Sequence, residues 1–339
     1  MGHRGHLISL DTAGGLTARE ALRVLRELRA HGATPAATRA DDDTPLEFSA
    51  LDGDPPRLQA ATPIEGDRLA VRELAEPPIA GFHAFLDGVQ NSRVVERWST
   101  GMPVVHGTVA AVVRVRVERE LSTWREAPLI ARALYLPVSL VADGSVDAMR
   151  AAGLDVVDTI DGAVGAPVRH PAELIALART AVQRKRESLE IALAEQWCLE
   201  GDGPLYVDGG IAASGAAAQH EHAVGVVKSH RTLYAEGDAV DTVLALPEGA
   251  RTTGFEIRSP RRTGVASWYL RLRDARGRDP FFGLVRVEIA RSHFSTERAD
   301  LVSRWVLAER APVSLPDRRW STMAYGIRSC EEYLRAVTA

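Results

Sequence analysis

His83-Ala84-Phe85-Leu86-Asp87-Gly88 is an apolar segment that stops at an Asp-Gly pair, and Pro204-Leu205-Tyr206-Val207-Asp208-Gly209 repeats the pattern. Apolar runs bounded by glycine are typical of buried β-strands. The aspartate is then expected at the rim of a sheet, where glycine allows a turn or the close approach of another group. Each Asp-Gly pair alone is also a common turn sequence. Two such carboxylates side by side repel unless a cation or a proton lies between them, so together they suggest a cation site.

The segments around these pairs predict an α/β protein with a mixed β-sheet. Met102–Glu118 and Leu129–Val141 are β-rich and follow the first pair without a long helix between them, which indicates an antiparallel meander. Pro171–Leu199 is predicted to be a long helix that leads into the second Asp-Gly strand, with proline in its first turn. Further strands are predicted at Ala223–Val227, Ser267–Arg273 and Gly283–Ala290, and closing helices at Thr296–Leu307 and Ser321–Val337.

The N-terminal part is predicted to be organised differently from the rest. Thr17–His31 has the apolar stripe of an amphipathic helix, whereas residues 33–65 are rich in Ala, Asp, Pro and Thr without clear periodicity. Arg68–Glu76 is predicted to form a short helix that ends before two prolines. We therefore expect an N-terminal helix and loose linker over residues 1–65 and one main domain over residues 66–339.

Composition excludes several classes of protein. The chain has 339 residues and a net charge of −4, so it is not basic overall. We expect no membrane span, because no apolar run approaches about 18 residues, and no secretory signal at the start. The two cysteines, Cys198 and Cys330, lack metal-site spacing. A disulfide framework is not expected, and a cytoplasmic location is predicted.

Basic residues are unevenly distributed along the chain. The stretch from Arg251 to Arg291 contains ten arginines and four acidic residues. It is predicted to form either a phosphate-facing stripe or an arginine-rich solvated face of a sheet. Lysine occurs only at Lys185 and Lys228. A compact ammonium group such as that of Lys228 suits a point contact with a phosphate or a water molecule.

A third carboxylate is expected near the two aspartates. Glu190 shares one stripe of the long helix with Ala194 and Trp197, so it is predicted to face protein. Three converging carboxylates are hard oxygen ligands that favour Mg²⁺ or Mn²⁺. Such a site can orient a phosphodiester and activate water. The sequence contains no zinc pattern, P-loop, nucleophile elbow or dinucleotide-binding fingerprint, and His220-Glu221-His222 is interpreted as a surface turn.

The ordered set of these motifs resembles the NurA nuclease family, whose core is similar to ribonuclease H. The likeness extends from about residue 79 to the C-terminus. Its five motifs are Phe85-Leu86-Asp87-Gly88, Arg186-Glu187-Ser188-Leu189-Glu190, Leu205-Tyr206-Val207-Asp208-Gly209-Gly210, Val224-Gly225-Val226-Val227-Lys228-Ser229-His230-Arg231-Thr232 and Phe282-Gly283-Leu284-Val285-Arg286-Val287-Glu288.

The resemblance implies roles for individual residues. Asp87, Glu190 and Asp208 correspond to the metal ligands, with Glu187 as the alternative third ligand in a shifted helix register. Lys228 corresponds to a residue near the scissile phosphate, and we expect Arg231 and Arg286 to contact the nucleic acid. The cofactor implied is Mn²⁺ or Mg²⁺.

One departure from the family concerns its closing helix, which usually brings an Ala-His pair to the metals. The corresponding place here reads Met323-Ala324-Tyr325-Gly326. Tyr325 cannot bind a metal as histidine does, so either His230 or His293 substitutes or the site works without a histidine.

The sequence therefore predicts a metal-dependent DNA nuclease with a ribonuclease H-like mixed sheet flanked by helices. The resemblance further implies a homodimer that works with a HerA-type hexameric ATPase in DNA end processing or defence, without a membrane. Two alternatives remain open. One is a catalytically silent dimeric adaptor for such a translocase, and the other is a different ribonuclease H-like nuclease that acts on RNA or branched DNA.

Overall fold

The computed structural model describes residues 14–39, 55–98, 101–118, 120–142, 144–160, 170–259, 262–310 and 321–338. Its α-helices are α1 (Ala18–Ala30), α2 (Ser145–Ala151), α3 (Pro171–Glu200), α4 (Asp238–Leu244), α5 (Thr296–Ala308) and α6 (Tyr325–Thr338). Its strands are β1 (Ala37–Arg39), β2 (Arg57–Leu58), β3 (Thr62–Pro63), β4 (Val71–Arg72), β5 (Ala84–Trp98), β6 (Met102–Val117), β7 (Glu120–Thr123), β8 (Leu129–Leu136), β9 (Val156–Asp158), β10 (Leu205–Asp208), β11 (Ala223–Val227), β12 (Thr232–Leu233), β13 (Arg251–Thr252), β14 (Phe255–Ser259), β15 (Arg262–Arg271) and β16 (Leu284–Ala290).

A mixed sheet forms the centre of the protein. Strands β5, β6 and β8 are antiparallel neighbours in chain order, which confirms the predicted meander. The chain then passes through α3 and returns with β10 parallel to β5, since a helical crossover permits parallel pairing. Strand β11 continues parallel to β10, and β16 and β15 extend the sheet in antiparallel fashion. This confirms the predicted mixed sheet flanked by helices.

Alternating side chains of the central strands supply two cores, one on each face of the sheet. Leu86 of β5 packs in the cluster that contains Leu193 and Trp197 of α3. Its neighbour Phe85 packs in the cluster that contains residues of α5 and α6, including Ile327. Successive side chains of a strand point to opposite faces, so one strand serves both cores. The long helix α3 therefore covers one face, as its position before β10 suggested.

The N-terminal helix α1 confirms the prediction for Thr17–His31. The Thr17 hydroxyl accepts from the Glu20 backbone N–H while the Glu20 carboxylate accepts from the Thr17 backbone, a capping box. Leu25 is completely buried in a third cluster with Trp98 of β5. Strand β1 then pairs with the far end of β5. The division between residues 65 and 66 stays a prediction.

The short helix predicted over Arg68–Glu76 is wrong. Val71 and Arg72 form strand β4, which pairs with β13 about 180 residues further along the chain. Local spacing of apolar residues cannot show such a partner, and tertiary pairing decided the conformation. Across the described residues, no helix is both long enough and apolar enough to span a membrane.

Candidate metal centre

The parallel pairing of β5 with β10 brings the two Asp-Gly pairs together. Tyr206 pairs with Phe85 and Val207 with Leu86, so the next residue of each strand is the aspartate. Strand β10 ends at Asp208, but β5 continues through Asp87 to Trp98 because β6 pairs with it along this length. The prediction that both pairs end a strand is therefore wrong for the first pair. Asp87 instead lies where the neighbouring strand ends.

Asp87 is a buried carboxylate with an unused oxygen. It is only 4% exposed, and its Oδ1 accepts from the Gly88 backbone N–H at 2.7 Å. Its Oδ2 is buried without a hydrogen-bond partner among the described residues. Burial raises the pKa of Asp87 well above its usual range; the charge of Asp208 raises the pKa further and that of Lys228 opposes it. A group that supplies positive charge or a proton at Oδ2 would relieve this cost.

Asp208 forms an ion pair with Lys228. The Lys228 Nζ lies 2.9 Å from each carboxylate oxygen of Asp208. The pair forms because β10 and β11 are parallel neighbours and Lys228 directly follows β11. Both side chains are about one-fifth exposed, so the ammonium group remains accessible from the site. The sequence suggested a point contact of this lysine with a phosphate or a water molecule, and the contact in the structure is with Asp208.

Glu190 approaches the same place from helix α3. A Cβ atom built on Gly88 would overlap the Glu190 Oε1 atom, so the carboxylate lies directly over the Gly88 backbone. Burial raises the pKa of Glu190 to about 7, and the charge of Arg186 opposes this shift. The Glu187 carboxylate instead accepts from Gln183 Nε2 at 2.7 Å along the helix. The geometry thus favours Glu190 over Glu187 as the third acid.

A pocket of about 210 Å³ opens between α3 and the chain that follows β10. Its lining includes Arg186, Glu187, Glu190 and Asp208, with the backbone of Gly210 opposite them. A larger groove of about 820 Å³ lies elsewhere, along residues 241–280, and its lining contains none of these residues. The smaller pocket is therefore the one that two of the predicted metal ligands, Glu190 and Asp208, line.

The acids present a suitable donor set for a hard divalent cation, because they supply carboxylate oxygens and one of these is buried and unpaired. In the described part of the chain, however, no three His, Cys, Asp or Glu side chains are grouped so that they could hold a metal ion. Lys228 engages Asp208, and Arg186 engages Glu190. A cation that used all three acids would share or displace these two side chains.

The remaining residues predicted for the site make other contacts. His230 bonds through Nε2 to the Leu284 carbonyl oxygen at 3.0 Å and stacks on Phe281, and burial lowers its pKa. His293 lies exposed in a short 3-10 turn. Tyr325 is 62% exposed, and its backbone N–H donates to the Glu309 carbonyl oxygen. The structure thus gives no contact between these side chains and the three acids.

The arginines of the predicted phosphate stripe do not form one exposed row. Arg251 and Arg271 are completely buried, and Arg286 is buried against Glu288, with which it forms an ion pair. Their guanidinium groups therefore serve the interior of the protein. Arg231 is half-buried, and its backbone carbonyl accepts from the Arg57 N–H at 2.7 Å. The nucleic-acid roles of Arg231 and Arg286 stay predictions.

Two charged residues near the site were not predicted to belong to it. Arg186 was visible only as a member of the Glu190 stripe, four residues before the acid. Glu331 of α6 is buried, and its charge contributes to the raised pKa of Asp87. No local signal marks Glu331, since its position depends on how α6 packs on β5. That packing is close: a Cβ atom on Gly326 would overlap the Phe85 ring.

Replacement of Gly88 by alanine is expected to displace the Glu190 carboxylate. The added Cβ would overlap Oε1 of Glu190 and lie 3.1 Å from the Ala110 carbonyl oxygen. Because a glutamate side chain can move, the fold should survive, with a loss of stability below about 2 kcal/mol. We expect about a tenfold loss of any Mn²⁺-dependent activity, measured beside Gly215→Ala, where the added Cβ meets only an ordinary contact at 3.9 Å. Equal activity in the two variants would contradict this placement of Glu190.

Comparisons with known proteins find similarity to solved structures but no match to a family profile or a curated protein. No protein-family profile matches the sequence, and no curated protein matches it. Among solved structures, the fold is similar to that of the NurA nuclease from Sulfolobus solfataricus, with 10% sequence identity and a TM-score of 0.45. The similarity covers 78% of this chain and 81% of that chain. The likeness is one of fold.

Proposed function

We propose that the protein is a DNA nuclease that depends on Mn²⁺ or Mg²⁺. The observation that carries the proposal is the register of β5 and β10, which places Asp87 beside Asp208 while Glu190 lies over Gly88. Burial raises the pKa of Asp87, and the charge of Asp208 raises it further, which supports a site whose acids are neutralised by a cation. Glu190 and Asp208 line one pocket, and their carboxylate oxygens suit a hard divalent ion.

Each residue of the proposed site has a role that follows from its position. When bound, the divalent ion supplies Lewis-acid stabilisation of a phosphodiester and lowers the pKa of a water molecule. Asp87 and Asp208 would hold it from the two strands and Glu190 from α3. Lys228, paired with Asp208, would donate to a non-bridging phosphate oxygen or orient the attacking water.

The test is DNA degradation by the wild type and by Asp208→Asn in Mn²⁺. The substitution removes one charge at nearly constant shape, and we expect activity to fall about a thousandfold, equivalent to about 4 kcal/mol of transition-state stabilisation. Asp202→Asn is the matched control, because Asp202 is exposed just before the same strand. Undiminished activity of Asp208→Asn would reject the proposed site.

A silent adaptor is the second candidate, and one observation favours it. Asp208 and Glu190 are each neutralised by a side-chain cation, as expected of acids with a structural role. Titration of Mn²⁺ by calorimetry separates the candidates. A nuclease should bind Mn²⁺ with heat that Asp208→Asn abolishes, whereas an adaptor should give no carboxylate-dependent heat.

The proposal also covers the substrate of the nuclease and its protein partners. Cleavage of single-stranded DNA, duplex DNA, branched DNA and RNA should be compared, and faster cleavage of RNA or branched DNA would favour a different ribonuclease H-like enzyme. The homodimer and the HerA-type hexameric ATPase rest on the sequence resemblance. Light scattering of the purified protein tests the homodimer. Co-purification with a HerA-type ATPase from the same organism tests the partnership.

A further inference from the structure

The ion pair between Arg186 and Glu190 joins helix α3 to strand β5 at the candidate site. The residues are four apart on the helix, so their side chains lie on the same face. The Arg186 Nη1 pairs with the Glu190 Oε1, and the Arg186 Nε donates to the Gln90 Oε1 of β5 at 3.1 Å. One guanidinium thus binds the acid and the strand with different nitrogens.

The charges of the site are largely balanced by its own side chains. Asp208 has Lys228 and Glu190 has Arg186, while Asp87 keeps one buried oxygen unpaired. The Arg186 and Glu190 side chains are only about one-fifth and one-eighth exposed. Water therefore screens this pair less than a surface pair, and the charge of Arg186 acts strongly on any cation at Glu190.

Arg186 is not needed to place the Glu190 carboxylate near the strand. Leu189 and Leu193, which flank Glu190 on the helix, are buried in the core between α3 and the sheet. The absence of a side chain at Gly88 leaves the space that the carboxylate occupies. Packing of α3 thus directs Glu190 to the site, and the guanidinium adds a permanent positive charge beside it.

We propose that Arg186 competes with the divalent cation for the Glu190 carboxylate and thereby weakens metal binding at the site. This inference rests on the proposed metal-dependent function. Removal of the guanidinium charge should leave Glu190 available to the cation and eliminate the repulsion between the two positive groups. A residue that merely positioned Glu190 would have the opposite effect, because its loss would weaken metal binding.

The experiment is calorimetric titration of Mn²⁺, without DNA, into the full-length wild type and variants at one pH and ionic strength. Arg186→Gln should bind Mn²⁺ about tenfold more tightly than the wild type, as one charge at short range predicts. Arg186→Ala, which favours the helix, is a second neutral variant and should show the same gain. Arg186→Lys keeps the charge and should remain near the wild type. Arg184→Gln removes the same charge from an exposed position of α3 and is the matched control.

The outcomes separate this inference from the function on which it rests. Unchanged or weaker Mn²⁺ binding by folded Arg186→Gln and Arg186→Ala would overturn the competition and leave the nuclease proposal standing. Failure of the wild type to bind Mn²⁺ would overturn both. An equal gain in Arg184→Gln would show a general charge effect and also overturn the specific role of Arg186. Thermal unfolding of each variant verifies that it is folded.

Discussion

Replacement of Asp87 by asparagine is expected to abolish Mn²⁺-dependent DNA cleavage and to raise the free energy of unfolding at pH 8. Cleavage should fall about a thousandfold because the proposed cation site would lose its most buried carboxylate. Stability should rise by about 1–3 kcal/mol, since a neutral amide removes a buried charge next to Asp208 and Glu190. Loss of the Asp87 charge should thus raise stability and lower activity, which is the usual trade-off at functional sites.

The pH dependence of unfolding tests the same charge. The folded-state pKa of Asp87 is raised, so the folded protein binds more protons than the unfolded chain at pH values above the usual 3.8. Stability from this group is therefore present at low pH and lost as pH rises from about 4 towards the raised pKa. Denaturant unfolding at several pH values should show this loss in the wild type and a smaller loss in Asp87→Asn. If the free energy of unfolding changed equally with pH in both proteins, the raised pKa of Asp87 would be contradicted.

Replacement of Arg251 by methionine is expected to destabilise the protein by about 3–5 kcal/mol, the usual cost of removing one partner from a buried ion pair. Arg251 is completely buried and makes two parallel bonds to Glu65, at 2.7 and 2.9 Å. Its Nε also donates to Asp300 of α5 at 2.6 Å. Without the guanidinium, the largely buried Glu65 carboxylate keeps its desolvation cost and loses its main partner.

Denaturant unfolding of Arg251→Met and Arg276→Met measures this contribution. Arg276 belongs to the same arginine-rich stretch, but its side chain is 92% exposed, so its replacement should change stability by less than about 0.5 kcal/mol. Similar stability of the two variants would show that the Arg251 network contributes little. Mn²⁺ binding by folded Arg251→Met should equal that of the wild type, because Arg251 does not line the candidate pocket.

Arginine shows where sequence reasoning about charge failed. The stretch from Arg251 to Arg291 contains ten arginines, and this number predicts a phosphate-facing stripe or a solvated face of a sheet. Burial of Arg251 and Arg271 depends on acids and carbonyl groups contributed from distant segments, whereas Arg286 pairs with the nearby Glu288. Arg271 alone donates to the carbonyl oxygens of residues 243, 244, 246, 280 and 282. No local count of charges can reveal such partners.

The sequence by itself determined the elements of the central sheet, because their signals are local. Apolar runs marked β5, β6, β8 and β10, a proline opened α3, and a capping box opened α1. The same local patterns selected Asp87, Asp208, Glu190 and Lys228 as candidates. Such patterns express the burial preference and backbone preference of a few neighbouring residues, so they can be read without knowing the fold.

Only the tertiary structure decided how these residues meet. Strand pairing put Asp87 beside the end of β10, within a strand that continues, and paired Lys228 with Asp208. Packing of α3 put the Glu190 carboxylate above the Gly88 backbone and brought the Arg186 side chain to Gln90. The physical reason is that strand register and helix packing join residues far apart in the chain, and the free energy of those contacts exists only when both surfaces are present.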